Sequence, residues 1–501
     1  MRKLLAIILT LAMLIPFSIP VFAEDEIKVS VDGAYLKFDV PPAIINGRTL
    51  VPIRAIFESM GMKVKWISET QTICGTGSDF MVIMQINNSE AKFYLEADYS
   101  SINESTPYES IKCDVPPSII GGRTLVPVRA LAEMLESKVT WDASSKTVIV
   151  ERPFNPTLTS DGGYVINEQS VRFIGRYYIG KTDQLYYSSF TASGIEFRFN
   201  GTEAEVELTS NHRDVKKSDT YIHVFVDGNE TLSTDYKDDS RILLAEGKSK
   251  ITVAKALTSG EHTVKILKSN EDRYNQIGWG AVYTDGKLIS RPAPRVRKIQ
   301  IFGDSVASAC NNVNYSDNND AATLGTPYQD GLLSYGSFIG RHFNADVEFF
   351  CCSGLSCYGV FNTASANTSY DYVGPFSGNS SIWDHTKFEP DLIIQNTWVN
   401  DNNQISVYNH KPEELYPTYL RMFKDLRKDH PQAKILIISS TNTTDINNII
   451  QSVIDDLKKE GENGITLFKT SIPFTRHPLS DKHQQMAEEL YPVIENLMGW
   501  Q

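Results

Sequence analysis

At 501 residues the chain is too long for a single hydrophobic core, and length alone predicts about three domains. Its 41% hydrophobic and 22% charged content is that of globular protein, not of a disordered tail. A formal net charge of −13 argues against nucleic acid or an anionic membrane surface as partner.

Residues 1–23 read as a secretory signal. Arg2 and Lys3 form the charged start, Leu4 to Leu14 the apolar run, and Val21-Phe22-Ala23 a small-residue cleavage site. No other stretch is apolar enough to span a bilayer, so the sequence predicts an exported protein with no membrane span after cleavage. Six cysteines in an exported chain permit disulfides. Their scattered positions show no framework; Cys74 could pair with Cys113, and Cys310 could reach the Cys351–Cys357 loop, with buried thiols as the alternative.

Residues 24–153 contain a repeat. Val40-Pro41-Pro42 through Gly47-Arg48-Thr49-Leu50-Val51-Pro52-Ile53-Arg54-Ala55 returns 75 positions on, with Trp66 matched by Trp141. Each copy predicts a strand, a Gly-Arg turn and a short helix beginning at the Val-Pro-x-Arg, because proline is tolerated at a helix start but not inside it. Ala55, Ile56 and Met60, or Ala130, Leu131 and Met134, are then expected on one helix face, and Thr147–Val150 closes the unit as a strand. The Gly-Arg-Thr-Leu-Val-Pro-x-Arg-Ala signature resembles the copper amine oxidase N-terminal-like domain over roughly residues 26–152. Copper itself is not expected, since no histidine precedes His212 and copper(II) sites rely on imidazole. The expectation is a small duplicated α+β attachment or spacer module. Arg48, Arg54, Arg123 and Arg129 serve either the helix starts or an anionic cell-wall ligand.

Residues 155–295 switch to period two. Ile195–Phe199, Ala204–Leu208, Tyr221–Val226, Lys250–Val253 and His262–Leu267 alternate apolar and polar residues, and Asn200-Gly201 and Asp227-Gly228 supply turns. Many short strands of this kind predict a β-sandwich of jelly-roll type. Trp279 and Tyr177 read as core aromatics or as sugar-stacking rings, and His212 and His223 lack clustered partners for a metal.

Residues 297–501 alternate strands with helices, which predicts a parallel sheet covered by helices on both faces. Strands are expected at 299–302, 346–350, 391–395 and 433–439, and helices at 335–342, 415–428 and 483–497. Ile299–Phe302 ends at Gly303-Asp304-Ser305 before an expected helix, which would lift a serine hydroxyl above the sheet edge beside backbone N–H groups. Asp304 is expected to cap that helix, and Asp317–Asp320 to form a solvated loop at the site.

Ser353-Gly354, Asn400-Asp401 and His477-Pro478 follow in order. This succession of serine, glycine, asparagine and histidine resembles the SGNH hydrolases. After a β-sandwich, and with the flanks Tyr335–Ile339, Trp383–Asp391 and His477–Ala487, it resembles carbohydrate esterase family 2 over roughly residues 165–499. The resemblance implies an α/β/α hydrolase fold with Ser305 as nucleophile and His477 as its general base. It also implies the N–H groups of Ser305 and Gly354 and the Asn400 amide as oxyanion donors, with no metal and no cofactor. Asp481-Lys482-His483 is a rival for the base, but His483 falls on the closing helix and His477 is followed by proline as in the family.

Two departures stand out. Thr475 occupies the place of the family's aspartate two residues before the histidine, and Trp398 stands where the family has glycine. Trp398 and Trp383 are candidate sugar-stacking residues. The implied function is a secreted serine esterase that deacetylates polysaccharide of the xylan or mannan type. The alternatives are a wall- or carbohydrate-binding protein with a decayed site, and an SGNH esterase acting on another acyl ester.

Overall fold

The computed structural model describes residues 27–60, 62–77, 80–95, 107–212, 218–232, 240–313, 325–359, 369–376, 379–472 and 477–500. Residues 1–23, expected as a signal segment, Asp317–Asp320, expected as a loop, and Thr475 lie outside these, as do the side chains of Leu131 and Met134. Two compact units divide between Pro153 and Phe154. Among the described residues no helix is long and apolar enough to cross a membrane.

In the first unit the two Arg-Thr-Leu-Val-Pro runs form β1 (Arg48–Pro52) and β2 (Arg123–Pro127). They lead directly into the helices α1 (Ile53–Ser59) and α2 (Val128–Met134). Pro52 and Pro127 stand just before these helices, where a missing N–H breaks no helical bond. Helix α1 buries Ile53, Ile56 and Phe57; Ala55 and Met60 are only half-buried, so the inward face is turned from the expected one by the docking of Phe57. Strands β1 and β2 pair antiparallel, with Val51 opposite Val126, Leu50 opposite Pro127 and Pro52 opposite Leu125. Arg48 Nε donates to Asp114 at 2.7 Å and Arg123 Nε to Asp39 at 2.6 Å, so the arginine of each repeat meets the acid of the other.

The second unit opens with two antiparallel sheets facing one another. One contains β4 (Ala204–His212) and β7 (Asn275–Thr284); the other contains β3 (Gly194–Gly201), β5 (Thr220–Val226) and β6 (Gly260–Lys268). The period-two alternation sends Ile195, Phe197, Phe199, Val206, Leu208, Val264, Ile266 and Trp279 into a common core. Trp279 is fully buried and its Nε1 donates to Ser188 Oγ at 2.9 Å, which makes it a core ring.

A five-stranded parallel sheet follows, built from β8 (Arg297–Gly303), β9 (Ala345–Cys351), β10 (Leu392–Asn396), β11 (Lys434–Ser440) and β12 (Ile465–Thr470). Its spatial order is β9-β8-β10-β11-β12. Ile299 and Ile301 of β8 pack with α3 (Tyr335–His342) and α7 (Ser480–Met498) on one face. On the opposite face Phe302 packs with α5 (Tyr416–Asp429) and α6 (Thr444–Lys459). Chain order reverses beside β8, the first strand, which has β9 on one side and β10 on the other. In open parallel sheets ligands bind beyond the carboxyl ends of the strands at such a switch point. The sandwich and this sheet belong to one compact unit. All six cysteines are buried as thiols outside any disulfide.

Candidate active site

Ser305 follows β8 by two residues. The expected helix is absent: residues 304–311 form consecutive tight turns, with Ala309 and Asn311 at φ +61° and +55°. Asp304 anchors this turn. It is fully buried, its Oδ1 accepts the Val306 N–H at 2.9 Å, and its backbone N–H is held by Asn396 O at 3.0 Å. Burial lifts the Asp304 carboxyl to about 7, with Asp401 adding to the rise against the hydrogen bond from Val306. Gly303 is required for this path. A Cβ there would sit 2.5 Å from Ala307 Cβ and 2.7 Å from Asn396 O.

Gly354 lies on the loop after β9 with φ +84°, a left-handed conformation that suits glycine. Asn400 lies near the start of α4 (Trp398–Ser406), the helix entered from β10. Its Nδ2 donates to Leu355 O at 3.0 Å and reaches Asp304 Oδ2 at 3.4 Å, tying the nucleophile turn, the glycine loop and α4 together. Asp401, fully buried, fixes the same loop by accepting the Cys357 N–H at 2.9 Å, with Tyr419 Oη at 2.8 Å and Thr397 Oγ1 at 2.9 Å.

His477 lies between β12 and α7, half-buried. Burial lowers its imidazole from the usual range, and the charge of Glu271 works in the opposite direction. Ser480, at the start of α7, donates its N–H to Asn312 O at 2.9 Å and so ties the histidine segment to the end of the nucleophile turn. His483 is fully buried on α7. Its Nδ1 accepts the Tyr335 N–H at 3.2 Å, so in the neutral ring Nε2 carries the proton and no basic nitrogen is left for a serine.

Ser305, Gly354 and Asn400 therefore lie beyond the carboxyl ends of β8, β9 and β10 at the switch point, and His477, which follows the edge strand β12, is tied to the Ser305 turn through Ser480 and Asn312. The two tryptophans do not serve as expected. Trp383 is 4% exposed, packed edge-on against Tyr177 and near Arg176, and Trp398 is 5% exposed within the sheet-covering core. Rings covered in this way present no face for a sugar. Among the described residues, Asp371, His385 and Asp429 could converge on a cation, but this group belongs to a different region from Ser305.

One residue at the site was not anticipated. Glu271, from the β6–β7 turn of the sandwich, reaches both the turn after Ser305 and the loop of Gly354. Asn270-Glu271-Asp272-Arg273 reads in the sequence as a solvated charged turn, and nothing local marks it as buried.

The comparisons agree with this architecture. A family model described as Carbohydrate esterase 2 N-terminal matches residues 173–292, and one described as Copper amine oxidase N-terminal domain matches residues 30–150. The chain is carbohydrate esterase family 2-like. Over 328 residues it is 24% identical to a cellulase/esterase, CelE, of Acetivibrio thermocellus, covering 62% of this chain and 38% of that protein. Over 255 residues it is 28% identical to an acetylxylan esterase / glucomannan deacetylase of Cellvibrio japonicus, covering 48% of this chain and 69% of the relative. A family two carbohydrate esterase from Clostridium thermocellum, solved with cellohexaose, superposes with a TM-score of 0.56 at 22% identity. That match covers 66% of this chain and all of the other, a likeness of fold. The carbohydrate esterase 2 match thus falls on the sandwich, and the copper amine oxidase match precedes it.

Proposed function

We propose that this chain is a carboxylic ester hydrolase that removes acetyl groups from O-acetylated polysaccharide of the xylan or mannan type. The observation that carries the reading is the convergence of Ser305, Gly354 and Asn400 at the switch point of a parallel sheet, with His477 tied to the same turn through Ser480 and Asn312. Ser305 attacks the acetyl carbonyl while His477 takes the hydroxyl proton. The tetrahedral oxyanion is met by the Ser305 and Gly354 N–H groups and the Asn400 amide. Collapse expels the sugar oxygen, which receives the proton from His477, and water then hydrolyses the acetyl-enzyme by the same steps in reverse order. Loss of one oxyanion donor costs roughly 10²–10³ in rate in such sites. No step needs a metal or a cofactor.

In the same reading the two facing sheets are a jelly roll that supports the hydrolase layer. Residues 24–153 form a duplicated module that binds a cell-wall ligand, and residues 1–23 direct export. The name of the relative from Cellvibrio japonicus, an acetylxylan esterase / glucomannan deacetylase, supports this substrate class.

The test is acetate release from acetylated xylan and acetylated glucomannan by the parent chain, Ser305→Ala and His477→Ala. Release by the parent that falls by roughly four orders of magnitude in both variants supports the assignment. Release surviving in Ser305→Ala would reject the nucleophile. No release from either polymer or from an aryl acetate would favour a binding protein with a decayed site.

A further inference from the structure

The turn joining β6 to β7 carries Lys268, Glu271, Asp272 and Arg273, yet Lys268 through Asp272 are fully buried. A carboxylate in such surroundings is costly unless hydrogen bonds hold it. Glu271 Oε2 accepts the Ser353 N–H at 2.6 Å and the Ser308 hydroxyl at 2.9 Å. Ser308 lies three residues after the candidate nucleophile and Ser353 immediately before Gly354, so one oxygen bridges both halves of the site. Behind it, Lys268 Nζ donates to the Glu271 carbonyl at 3.1 Å, Arg273 donates to the Ser353 carbonyl, and the Glu271 N–H meets Gln329 Oε1 at 3.4 Å. The second oxygen, Oε1, is buried and meets no hydrogen-bond donor among the described residues.

We propose that Glu271, supplied by the sandwich, is the positioning carboxylate of the esterase site. Oε2 holds the Ser305 turn against the Gly354 loop, and the carboxylate charge stabilises the His477 imidazolium formed when Ser305 gives up its proton. This deepens the esterase reading and rests on it. The proton passes from Ser305 Oγ to His477 and on to the leaving sugar oxygen. The charge of Glu271 reaches His477 and opposes the effect of its burial, which is the direction such a role requires. The other groups that feel Glu271 are Lys268, Arg273 and Tyr274 on its own turn and neighbouring strand, Cys310 after β8, and Cys351 and Cys352 at the end of β9. His477 in turn faces His483 on α7.

The experiment measures kcat and KM against pH for the full chain, Glu271→Gln and Glu271→Asp, with Ser305→Ala and His477→Ala alongside. Glutamine keeps an acceptor for Ser353 and Ser308 but removes the charge. Its expected effect is a fall in kcat of about 10- to 100-fold at nearly constant KM, with the acid limb of kcat/KM moving down by about one pH unit. A merely structural role would lower the amplitude or the melting temperature and leave that limb where it was, which would overturn the proposal. Should Glu271→Gln fail to fold, Glu271→Asp decides. Because aspartate draws the charge back by one methylene, it is expected to move the acid limb the same way by a smaller amount at nearly constant KM, and an unmoved limb rejects the role. Activity remaining in Ser305→Ala would instead reject the esterase assignment itself, so the two failures are distinguishable.

Discussion

His483 sits inside α7 with its ring stacked on Tyr335, and burial, helped by the charge of His477, holds its imidazole down to about 3 from an ordinary 6.5. The folded chain keeps this ring neutral while the unfolded chain protonates it near 6.5, so its contribution to stability is present above that pH and is lost as pH falls toward 3. His483→Asn keeps an acceptor for the Tyr335 N–H and removes the titrating group. Its unfolding free energy between pH 6 and 4 is therefore expected to depend less steeply on pH, by up to about 1.4 kcal/mol per pH unit. Parallel curves from denaturant unfolding at a series of pH values would rule this out. At this scale the sequence was most informative where chemistry and backbone geometry sit together. Ser305 and Gly354 lie on the loops just after β8 and β9, Asn400 near the start of α4 and His477 between β12 and α7. The sequence failed at Trp383 and Trp398, because exposure of an aromatic ring is decided by neighbours distant in the chain.

Among the elements, the regular strands and helices were legible from periodicity. The helix expected at 335–342 is α3, and the last helix expected at 483–497 lies inside α7. Helix α6 has a strong apolar face and was passed over because its Asn- and Asp-rich outer surface resembles a loop. The segment after Ser305 departs from the expected helix although Asp304 accepts the Val306 N–H as a helix cap would; the chain turns instead, with Ala309 and Asn311 at positive φ. The β6–β7 turn depends on Lys268, whose Nζ donates to the carbonyls of Ser189 and Asn270 at 2.7 Å and of Glu271 at 3.1 Å. Lys268→Met would strand three buried acceptors, and a loss of about 3 kcal/mol or more is expected. Urea unfolding followed by intrinsic fluorescence measures it, and an undiminished midpoint would show that the turn is held by other contacts.

Across the whole molecule, the sandwich and the parallel sheet are joined by charges that neither could bury alone. Arg176, fully buried, pairs with Glu348 at 3.2 Å, donates to the Tyr372 carbonyl at 3.0 Å, and lies over the rings of Phe350 and Tyr370 at 4.6 and 4.8 Å. His223 on β5 meets Asp330 at 2.8 Å, and Arg172 pairs with Asp346 at 2.7 Å. Arg176→Met leaves Glu348 buried without its cation and is expected to cost about 3–5 kcal/mol. In calorimetry, residues 154–501 should melt as one transition that moves down in this variant, while the transition of the first unit stays in place. Separate melting of sandwich and sheet would contradict the expectation.

The crosswise contacts of the first unit have a consequence of their own. Because Arg48 reaches Asp114 and Arg123 reaches Asp39 across strands that pair about a centre, the two copies behave as an obligate dimer that happens to share one chain. Removing either copy would orphan an acid and an arginine and bare the inner edge of the survivor. In proteins built from this module, pairs should be the heritable unit, with copies gained or lost in twos.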